Sequence, residues 1–226
     1  MTDEGGRVRH SKAETPTVIL SDRERAEREA ANALIQAKRL DDIIASWVDN
    51  DDRPFKLRPS IILDLNRLAI DGLDAFAGNW RPGAIEISGS NHQPPAAHLV
   101  PELVEEMCDY INDHWKDRRA AHLAAYAMWR MNWIHAFTDG NGRTARAVSY
   151  LILSVRLKMK IPGNPTIPEM ITEQRRPYYD ALEKADAAMN AGKIDLHDME
   201  QLLENLLAKQ LLTVVSQASG NDYADK

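Results

Sequence analysis

The sequence HAFTDGNGRTAR, residues 135–146, decides how the chain around it folds. The stretch before it, residues 120–135, is apolar on nearly all sides, which predicts a central helix that ends at His135. A Gly-Asn-Gly turn follows, and helical periodicity then resumes with apolar residues on one face, at Ala147, Val148, Leu151, Ile152 and Val155. The stretch therefore predicts a tight loop between two buried helices.

Such a loop is suited to bind anions. Successive backbone N–H groups and the positive end of the second helix dipole would form a nest for phosphates. Glycines at 140 and 142 let the backbone approach those phosphates closely. Arg143 and Arg146 lie three positions apart, so they share a helix face and both can reach a polyphosphate.

Two side chains add chemistry to this nest. Asp139 offers the hard oxygen ligand that a phosphate-bound Mg²⁺ needs. His135 has an ordinary pKa near neutrality and can accept a hydroxyl proton while that oxygen attacks phosphorus. Each residue also has a purely structural interpretation: His135 bonded to a helix-end carbonyl, Asp139 capping a helix, and the arginines as surface charges. Together, base, metal ligand, nest and arginine pair indicate transfer from a nucleotide.

The remaining chain predicts further helices and one strand. Residues 1–19 are polar and are expected to be disordered. Ser21 and Glu24 form a capping pattern that opens a helix to about residue 47, within a helical annex at 20–50. A second helix spans about 60–76. Residues 84–88 alternate apolar and polar between Gly and Pro, which indicates a short surface hairpin, or flap.

Helical periodicity continues to the end of the domain. Helices are expected at about 99–115, 168–190 and 195–215, and residues 213–226 are expected to form a tail. The predicted fold class is therefore all-α, a helical bundle with one β-hairpin flap, and its core spans residues 58–212. Four leucines on one face of the last helix predict core packing, with a dimer surface as the alternative: Leu202, Leu203, Leu206 and Leu207.

Composition excludes several classes of function. The chain has 226 residues, 44% of them apolar, and a formal net charge of −6, which argues against nonspecific binding to nucleic acid. No stretch approaches about 18 apolar residues, and the first residues lack the apolar segment of a signal peptide. The lone cysteine, Cys108, excludes an intrachain disulfide. We therefore expect a soluble cytoplasmic protein with no membrane partner.

Residues 135–146 resemble the signature of the Fic family, His-x-Phe-x-Asp/Glu-Gly-Asn-Gly-Arg-x-x-Arg, at each of its defining positions. The stretch GSNHQPP at 89–95 resembles the family's flap, and RRPYYDAL at 175–182 is also similar. The similarity covers about residues 58–212. It implies a Fic-type helical bundle and a protein adenylyltransferase that transfers AMP from ATP to a Tyr, Ser or Thr hydroxyl of a target protein and releases pyrophosphate.

The resemblance also implies a role for each matching residue. His135 would be the general base and Asp139 the Mg²⁺ ligand. Asn141 and the backbone of Gly140 and Gly142 would hold the phosphates, and Phe137 would anchor the loop. The β- and γ-phosphates would pair with Arg143 and Arg146. A target segment would dock along the flap as an added strand, at Ile87, Ser88, Gly89 and Ser90.

Regulation is where the sequence departs from the family. Many members carry an inhibitory helix, Ser/Thr-x-x-x-Glu-Gly/Asn, whose Glu pairs with the second motif arginine and blocks productive ATP binding. The best match is residues 32–37, with Gln36 at the Glu position. A neutral amide would pair with Arg146 more weakly than a carboxylate. Gln36 is equally well interpreted as an ordinary surface residue.

Several functional alternatives stay open. One is transfer of another nucleotide fragment, such as UMP. Removal of AMP is disfavoured, because in the family it uses the inhibitory Glu, which is Gln36 here. A nucleotide-binding regulatory module without turnover is another alternative, and so is a toxin component held by a small inhibitory partner. A homodimer is a further alternative.

Overall fold

The structure is a computed structural model that describes residues 11–13, 18, 20–49 and 54–219. Within that part the elements follow the order β1 (Ser11–Ala13), α1 (Asp22–Val48), α2 (Pro59–Ile70), β2 (Ile85–Ile87), a 3₁₀ turn (Ala97–Leu99), α3 (Val100–Asp113), α4 (Ala120–Ile134), α5 (Asn141–Arg156), α6 (Ile167–Glu173), α7 (Arg175–Asn190) and α8 (His197–Ser219). The predicted all-α class is confirmed. No helix in the described ranges combines the length and the apolar character that crossing a bilayer requires.

Helices α4 and α5 form the centre of the bundle, as the sequence predicts. They pack on each other more extensively than any other pair, with α3, α7 and α8 against α4, and α1, α2 and α6 against α5. Trp129 and Phe137 are among the largest fully buried side chains. Leu203 and Leu206 of α8 are buried in the same core, and Leu202 and Leu207 pack against it, which confirms the core interpretation of that face.

Helix α1 begins as predicted and packs on α2 and α5. Its N-terminus is closed by a capping box, in which the Ser21 N–H donates to Glu24 Oε2 at 2.8 Å and the Glu24 N–H donates to Ser21 Oγ at 3.3 Å. The buried Asn32 side chain donates to the Asp71 carbonyl at 2.9 Å. The Asn32 bond ties α1 to the residue that follows α2.

Three helix boundaries differ from the prediction. Helix α2 ends at Ile70 rather than near 76, because Gly72 adopts φ +69° and ends the helical path. The single helix expected at 168–190 is two helices, α6 and α7, because the backbone at Gln174 is non-helical, with φ −124° and ψ 77°. Pro177 lacks an N–H and could not continue a helix from α6. Helix α8 continues to Ser219, into the expected tail. Residues 220–226 lie outside the described part of the chain.

The prediction of a hairpin at the flap is wrong, because the strand that pairs with β2 comes from another part of the chain. Strand β2 falls within the predicted 84–88 stretch, but it pairs antiparallel with β1, in the register Ser11↔Ile87, Lys12↔Glu86 and Ala13↔Ile85. The residues after the flap turn include Pro94 and Pro95, which cannot donate to a ladder and so offer no second strand. Residues 11–13 belong to the segment expected to be disordered; residues 1–10, 14–17 and 19 of that segment are not described.

Candidate active site

A cleft of about 520 Å³ lies where α4 ends and α5 begins. The sequence-predicted residues of the loop meet there, since the lining includes His135, Asp139, Gly140, Asn141, Gly142, Arg143 and Arg146. Other helices contribute lining residues that the sequence did not single out: Arg25 and Glu29 from α1, Asn132 from α4, and Arg175, Leu182 and Asp186 from α7. Four arginines against three carboxylates make the cleft suitable for a polyanion.

Left-handed backbone at His135 ends α4 and turns the chain into the loop. Its φ and ψ are 51° and 56°, and its N–H donates to the Met131 carbonyl at 3.0 Å. The buried Arg81 holds this turn from outside, since its Nε donates to the His135 carbonyl at 2.8 Å and its backbone N–H to the Ala136 carbonyl at 2.9 Å. Arg81 is therefore a positioning residue that motif matching alone could not find.

The His135 ring is buried and neutral at pH 7. Burial, opposed by a hydrogen bond to the Asn132 carbonyl, lowers its pKa from 6.5 to about 4. That bond joins Nδ1 to the carbonyl oxygen at 3.2 Å, and since a carbonyl only accepts, Nδ1 carries the proton and Nε2 the lone pair. The ring therefore has the protonation state of a proton acceptor. A bound polyphosphate would raise the pKa toward neutrality, because negative charge favours the protonated ring.

Asn141 pins the loop through a pair of bonds with one residue. Its Oδ1 accepts the Phe137 N–H at 2.9 Å, and its Nδ2 donates to the Phe137 carbonyl at 2.7 Å. Both residues are buried. The resemblance implies that Asn141 holds the phosphates, whereas these contacts show its side chain stabilising the loop.

Gly140 provides the turn from which α5 starts. It adopts φ +75°, and an added Cβ would lie 2.8 Å from Ile70 Cγ2, so the position excludes larger residues both by conformation and by space. The buried Asn66 of α2 supports the same turn, because its Nδ2 donates to the Asp139 carbonyl at 3.0 Å. No side-chain hydrogen bond caps the N-terminus of α5, and Gly140, Asn141 and Gly142 line the cleft, so the first N–H groups of this helix can serve as an anion nest.

The charged groups of the loop lie beside this nest. Asp139 Oδ1 accepts the Gly140 N–H at 2.5 Å, and Oδ2 lies 3.2 Å from Arg143 Nη2. Burial lowers the pKa of Arg146. The Arg146 guanidinium lines the cleft and remains charged because of its high intrinsic pKa. A poorly solvated cation in a cleft is a strong site for an anion.

Gln36 does not occupy the place that the resemblance gave it. Its Nε2 donates to the Leu65 carbonyl at 2.8 Å, and it lies outside the cleft lining. Glu29, seven residues earlier on the same helix, lines the cleft instead, with Oε1 3.9 Å from Arg143 Nη1. The acidic residue that α1 places near the motif arginines is therefore Glu29, and it contacts Arg143 rather than Arg146.

The wall opposite the loop is formed by α7. Tyr178 and Tyr179 line it, and Asn132 Nδ2 donates to the Tyr178 hydroxyl at 2.7 Å. Asp186 accepts the Trp129 indole N–H at 2.8 Å. Trp129 precedes His135 by six residues, so this end of the cleft lies about 9 Å along α4 from the histidine. Aromatic faces and a polar edge at that depth suit a planar heterocycle.

The flap closes a third side. Of its four predicted docking residues, Ile87 and Ser90 line the cleft, while Ser88 and Gly89 do not. His92 Nε2 contacts the Trp133 carbonyl at 2.7 Å and ties the flap to α4. Arg81 Nη1 donates to the Gly83 carbonyl at 2.7 Å, and Nη2 donates to the Pro95 carbonyl. One buried guanidinium thus joins both ends of the flap to the turn at His135.

Comparison with known proteins shows which proteins this chain is similar to. Residues 56–153 match the Fic/DOC family. The chain is 35% identical to a protein adenylyltransferase Fic of Nematostella vectensis over 116 residues, which is 49% of this chain and 24% of that protein. It is 31% identical to a protein of the same name from Drosophila persimilis over 127 residues, which is 55% of this chain and 23% of that protein. The chain thus spans about a quarter of the length of these relatives.

Solved structures share the fold. Fic-1 from C. elegans superposes with a TM-score of 0.66 at 22% identity, over 89% of this chain and 54% of that one. A Fic domain containing signaling protein from Bacteroides thetaiotaomicron gives a TM-score of 0.63 at 19% identity, over 86% of this chain and 75% of that one. The helical architecture is therefore that of Fic domain proteins.

Proposed function

We propose that this chain, whose residues 56–153 match the Fic/DOC family, transfers AMP from ATP to a hydroxyl side chain of a target protein. The observation that carries the proposal is one cleft in which a neutral histidine, an anion nest and two arginines meet. The adenylyltransferases among its relatives support the same reaction.

In the proposed step the target hydroxyl oxygen attacks the α-phosphorus of ATP. His135 Nε2 takes the hydroxyl proton, the bond between the α-phosphorus and the bridging oxygen breaks, and pyrophosphate leaves. The first N–H groups of α5 stabilise charge on the phosphates, and Arg143 and Arg146 pair with the β- and γ-phosphates. Tyr178, Tyr179 and the Asp186 end of the cleft accommodate the base.

Mg²⁺ fits this donor set. Magnesium usually takes one or two carboxylates together with phosphate oxygens and waters, rather than an all-protein cage. Asp139 is the loop carboxylate beside the nest, and its side chain is 39% exposed, so its oxygens are accessible from the cleft. Mg²⁺ bound there would neutralise charge that develops on the leaving pyrophosphate.

Asp139→Asn should remove most of the enhancement that Mg²⁺ gives to ATP binding. Asn keeps an oxygen that can accept the Gly140 N–H but loses the charge that the metal needs. We expect the ratio of ATP affinities with and without Mg²⁺ to fall about tenfold or more, since even outer-shell changes cost about 10–100-fold in metal affinity. Calorimetric titration measures this. Asp117→Asn, at a carboxylate outside the cleft, is the matched control; equal ratios in all three proteins would remove Asp139 from the metal site.

Glu29 is proposed to restrain ATP binding by competing with a phosphate for Arg143. Glu29→Gln keeps the side-chain length and removes the charge, so the rate of AMP transfer at subsaturating ATP should rise. The side chains of Arg143 and Glu29 are 27% and 45% exposed, and a pair so exposed contributes about 0.2–1 kcal/mol, which corresponds to a rise of at most about fivefold.

Glu27→Gln is the matched control for this change. Glu27 lies on the same helix, pairs with Arg23 and stays outside the cleft. Initial rates for the three proteins are compared at one ATP concentration. If Glu29→Gln and Glu27→Gln transfer AMP at the same rate as the unchanged protein, α1 does not restrain the site. Glu29 also supplies a carboxylate at the cleft, so the lack of one at Gln36 gives no reason to exclude removal of AMP.

The proposed reaction is tested with labelled nucleotides, Mg²⁺ and cell lysate. Label at the α-phosphate of ATP should enter protein, and label at the γ-phosphate should not, because pyrophosphate leaves. Transfer of the γ-label would indicate phosphorylation instead. UTP labelled at its α-phosphate tests transfer of UMP. Release of AMP from labelled protein tests whether the chain also removes AMP. A chain that binds ATP and labels nothing under any of these conditions would be a regulatory module.

A further inference from the structure

Arg130 of α4 is a buried cation that leaves most of its hydrogen-bonding capacity unused. It is 8% exposed, and within the described part of the chain its Nε and Nη1 atoms are buried without a hydrogen-bond partner. Its Nη2 lies 3.6 Å from Glu106 Oε2, but the Glu106 side chain is 58% exposed, and so exposed a pair contributes little to stability. Because buried polar groups are normally satisfied, Arg130 requires an explanation other than the stability of the fold.

The guanidinium of Arg130 lies over an aromatic ring. Its Cζ is 4.3 Å from the centroid of the Trp133 ring and 5.9 Å from that of Trp129. The quadrupole of an indole ring attracts a cation over its face, and the attraction is larger where water is excluded. Trp133 follows Arg130 by three residues, so both side chains lie on one face of α4. Arg130 therefore fixes the orientation of the Trp133 ring.

Trp133 in turn contacts the flap. His92 Nε2 lies 2.7 Å from the Trp133 carbonyl oxygen, and since a carbonyl only accepts, His92 is the donor. The ring centroids of His92 and Trp133 are 5.6 Å apart, so the two residues meet through their rings as well. The His92 N–H donates to Ser90 Oγ at 3.2 Å, and both residues line the cleft. A series of contacts thus runs from Arg130 to the flap.

We infer that Arg130 is a positioning residue: by orienting the Trp133 ring it fixes His92 and the flap where a target protein binds. The inference rests on the proposed function. Arg130 itself lies outside the cleft lining, so its loss should weaken the binding of target protein and not that of ATP. The cation also destabilises the fold, because its two buried nitrogens have no partner among the described residues. One substitution should therefore impair function while it preserves or raises stability.

Arg130→Met removes the cation and keeps an unbranched side chain. Initial rates of α-label transfer are measured at saturating ATP and Mg²⁺ over graded concentrations of one dialysed cell lysate, which supplies the acceptor proteins. The half-saturating lysate concentration should rise about threefold to tenfold, the factor that corresponds to the loss of one cation–π contact. The limiting rate and the ATP affinity should change little, because His135, Arg143 and Arg146 are untouched. The urea midpoint of unfolding should be unchanged or higher.

Arg156→Met is the matched control. Arg156 also has a buried Nε without a partner in the described ranges, but it lies outside the cleft, and its Nη2 donates to the Arg118 carbonyl at 3.2 Å. This variant should leave the half-saturating concentration unchanged. For Arg130→Met, a lower urea midpoint or an unchanged half-saturating concentration would overturn the inference.

Trp133→Leu tests the same contacts from the other side. It removes the ring that lies between Arg130 and His92, so the half-saturating concentration should rise as it does in Arg130→Met. If Arg130 acts through Trp133, the double variant should show no more than the larger single effect, because the two changes interrupt one series of contacts. Two effects that multiply would show that Arg130 acts by another route, against the inference.

A further measurement does not depend on activity. The His92 Nε2 proton is protected from exchange with water by its bond to the Trp133 carbonyl, and NMR measures that exchange. The exchange should be about threefold to tenfold faster in Arg130→Met, since the flap opens more often. Equal exchange in the two proteins would overturn the inference. If the unchanged chain transferred no α-label, the proposed function would fail, and this exchange rate would still decide whether Arg130 positions the flap.

Discussion

His135→Ala should lower the rate of AMP transfer by about 10²–10⁴-fold, the usual contribution of a general base. Nucleotide binding should change little, because the nest, Arg143 and Arg146 remain. The measurement is the initial rate of α-label incorporation at saturating ATP, together with ATP affinity by calorimetry. Retention of full activity would show that the hydroxyl proton leaves by another route.

The backbone at His135 calls for a second variant. Its φ of 51° strains alanine more than asparagine, because a short polar side chain tolerates left-handed backbone. His135→Asn therefore removes the base with less risk to the loop and should give the same loss of rate. His98→Ala is the matched control, since His98 is exposed and outside the cleft. If His135→Ala lost AMP transfer and His135→Asn did not, the loss in the alanine variant would come from a distorted loop rather than from the missing base.

The pH profile gives an independent readout of His135. The base must be neutral to accept a proton, so activity is present above its pKa and lost as pH falls through it. Burial lowers that pKa to about 4 in the nucleotide-free protein. The acid limb of kcat/KM should therefore lie below the pH of 6.5 expected for an exposed histidine. The acid limb of the kcat profile should lie at higher pH than that of kcat/KM, since bound phosphates raise the pKa of His135.

Asn141→Ala should destabilise the fold by about 2–4 kcal/mol. The change leaves the buried N–H and carbonyl of Phe137 without the two bonds that Asn141 makes, and each unsatisfied buried group costs about 1–3 kcal/mol. The free energy of unfolding is measured in urea. Asn190→Ala, at an exposed helix end, should stay within about 0.5 kcal/mol of the unchanged protein.

Asn141→Asp separates the two bonds. It keeps an oxygen for the Phe137 N–H and sets a second acceptor against the Phe137 carbonyl, so stability should fall here too. If both Asn141 variants have the same urea midpoint of unfolding as the unchanged protein, the two hydrogen bonds between Asn141 and Phe137 do not stabilise the loop. Loss of AMP transfer with unchanged stability would instead support the phosphate contact that the resemblance assigns to Asn141.

Much of the site could be predicted because its parts are adjacent in sequence. The turn at Gly140, the start of α5 and the pair Arg143 and Arg146 depend on glycine conformation, helix dipole and helical spacing, which act over a few residues. The capping box at Ser21 is local in the same way. These features follow from the amino-acid sequence whatever surrounds them.

The position of α1 along the cleft was decided by tertiary structure. Glu29 and Gln36 are seven residues apart, so they lie on nearly the same face of a helix with 3.6 residues per turn. Periodicity identifies that face but not which of its turns lies over the cleft. The contact of Asn32 with the Asp71 carbonyl fixes the sliding position, and it brings Glu29 rather than Gln36 to Arg143.

Long-range pairing decided the rest. The alternation of residues 84–88 identifies a strand, but β2 pairs with residues 11–13, which show no strand pattern of their own. Arg81 likewise joins the flap to the His135 turn through backbone carbonyls, and a carbonyl is present at every residue. The sequence alone therefore determines which groups can carry the chemistry. Which strand pairs with the flap depends on tertiary packing, because backbone hydrogen bonds can form at almost any residue. Which residue of α1 lies near Arg143 also depends on packing, because local sequence does not specify how far one helix is shifted along another.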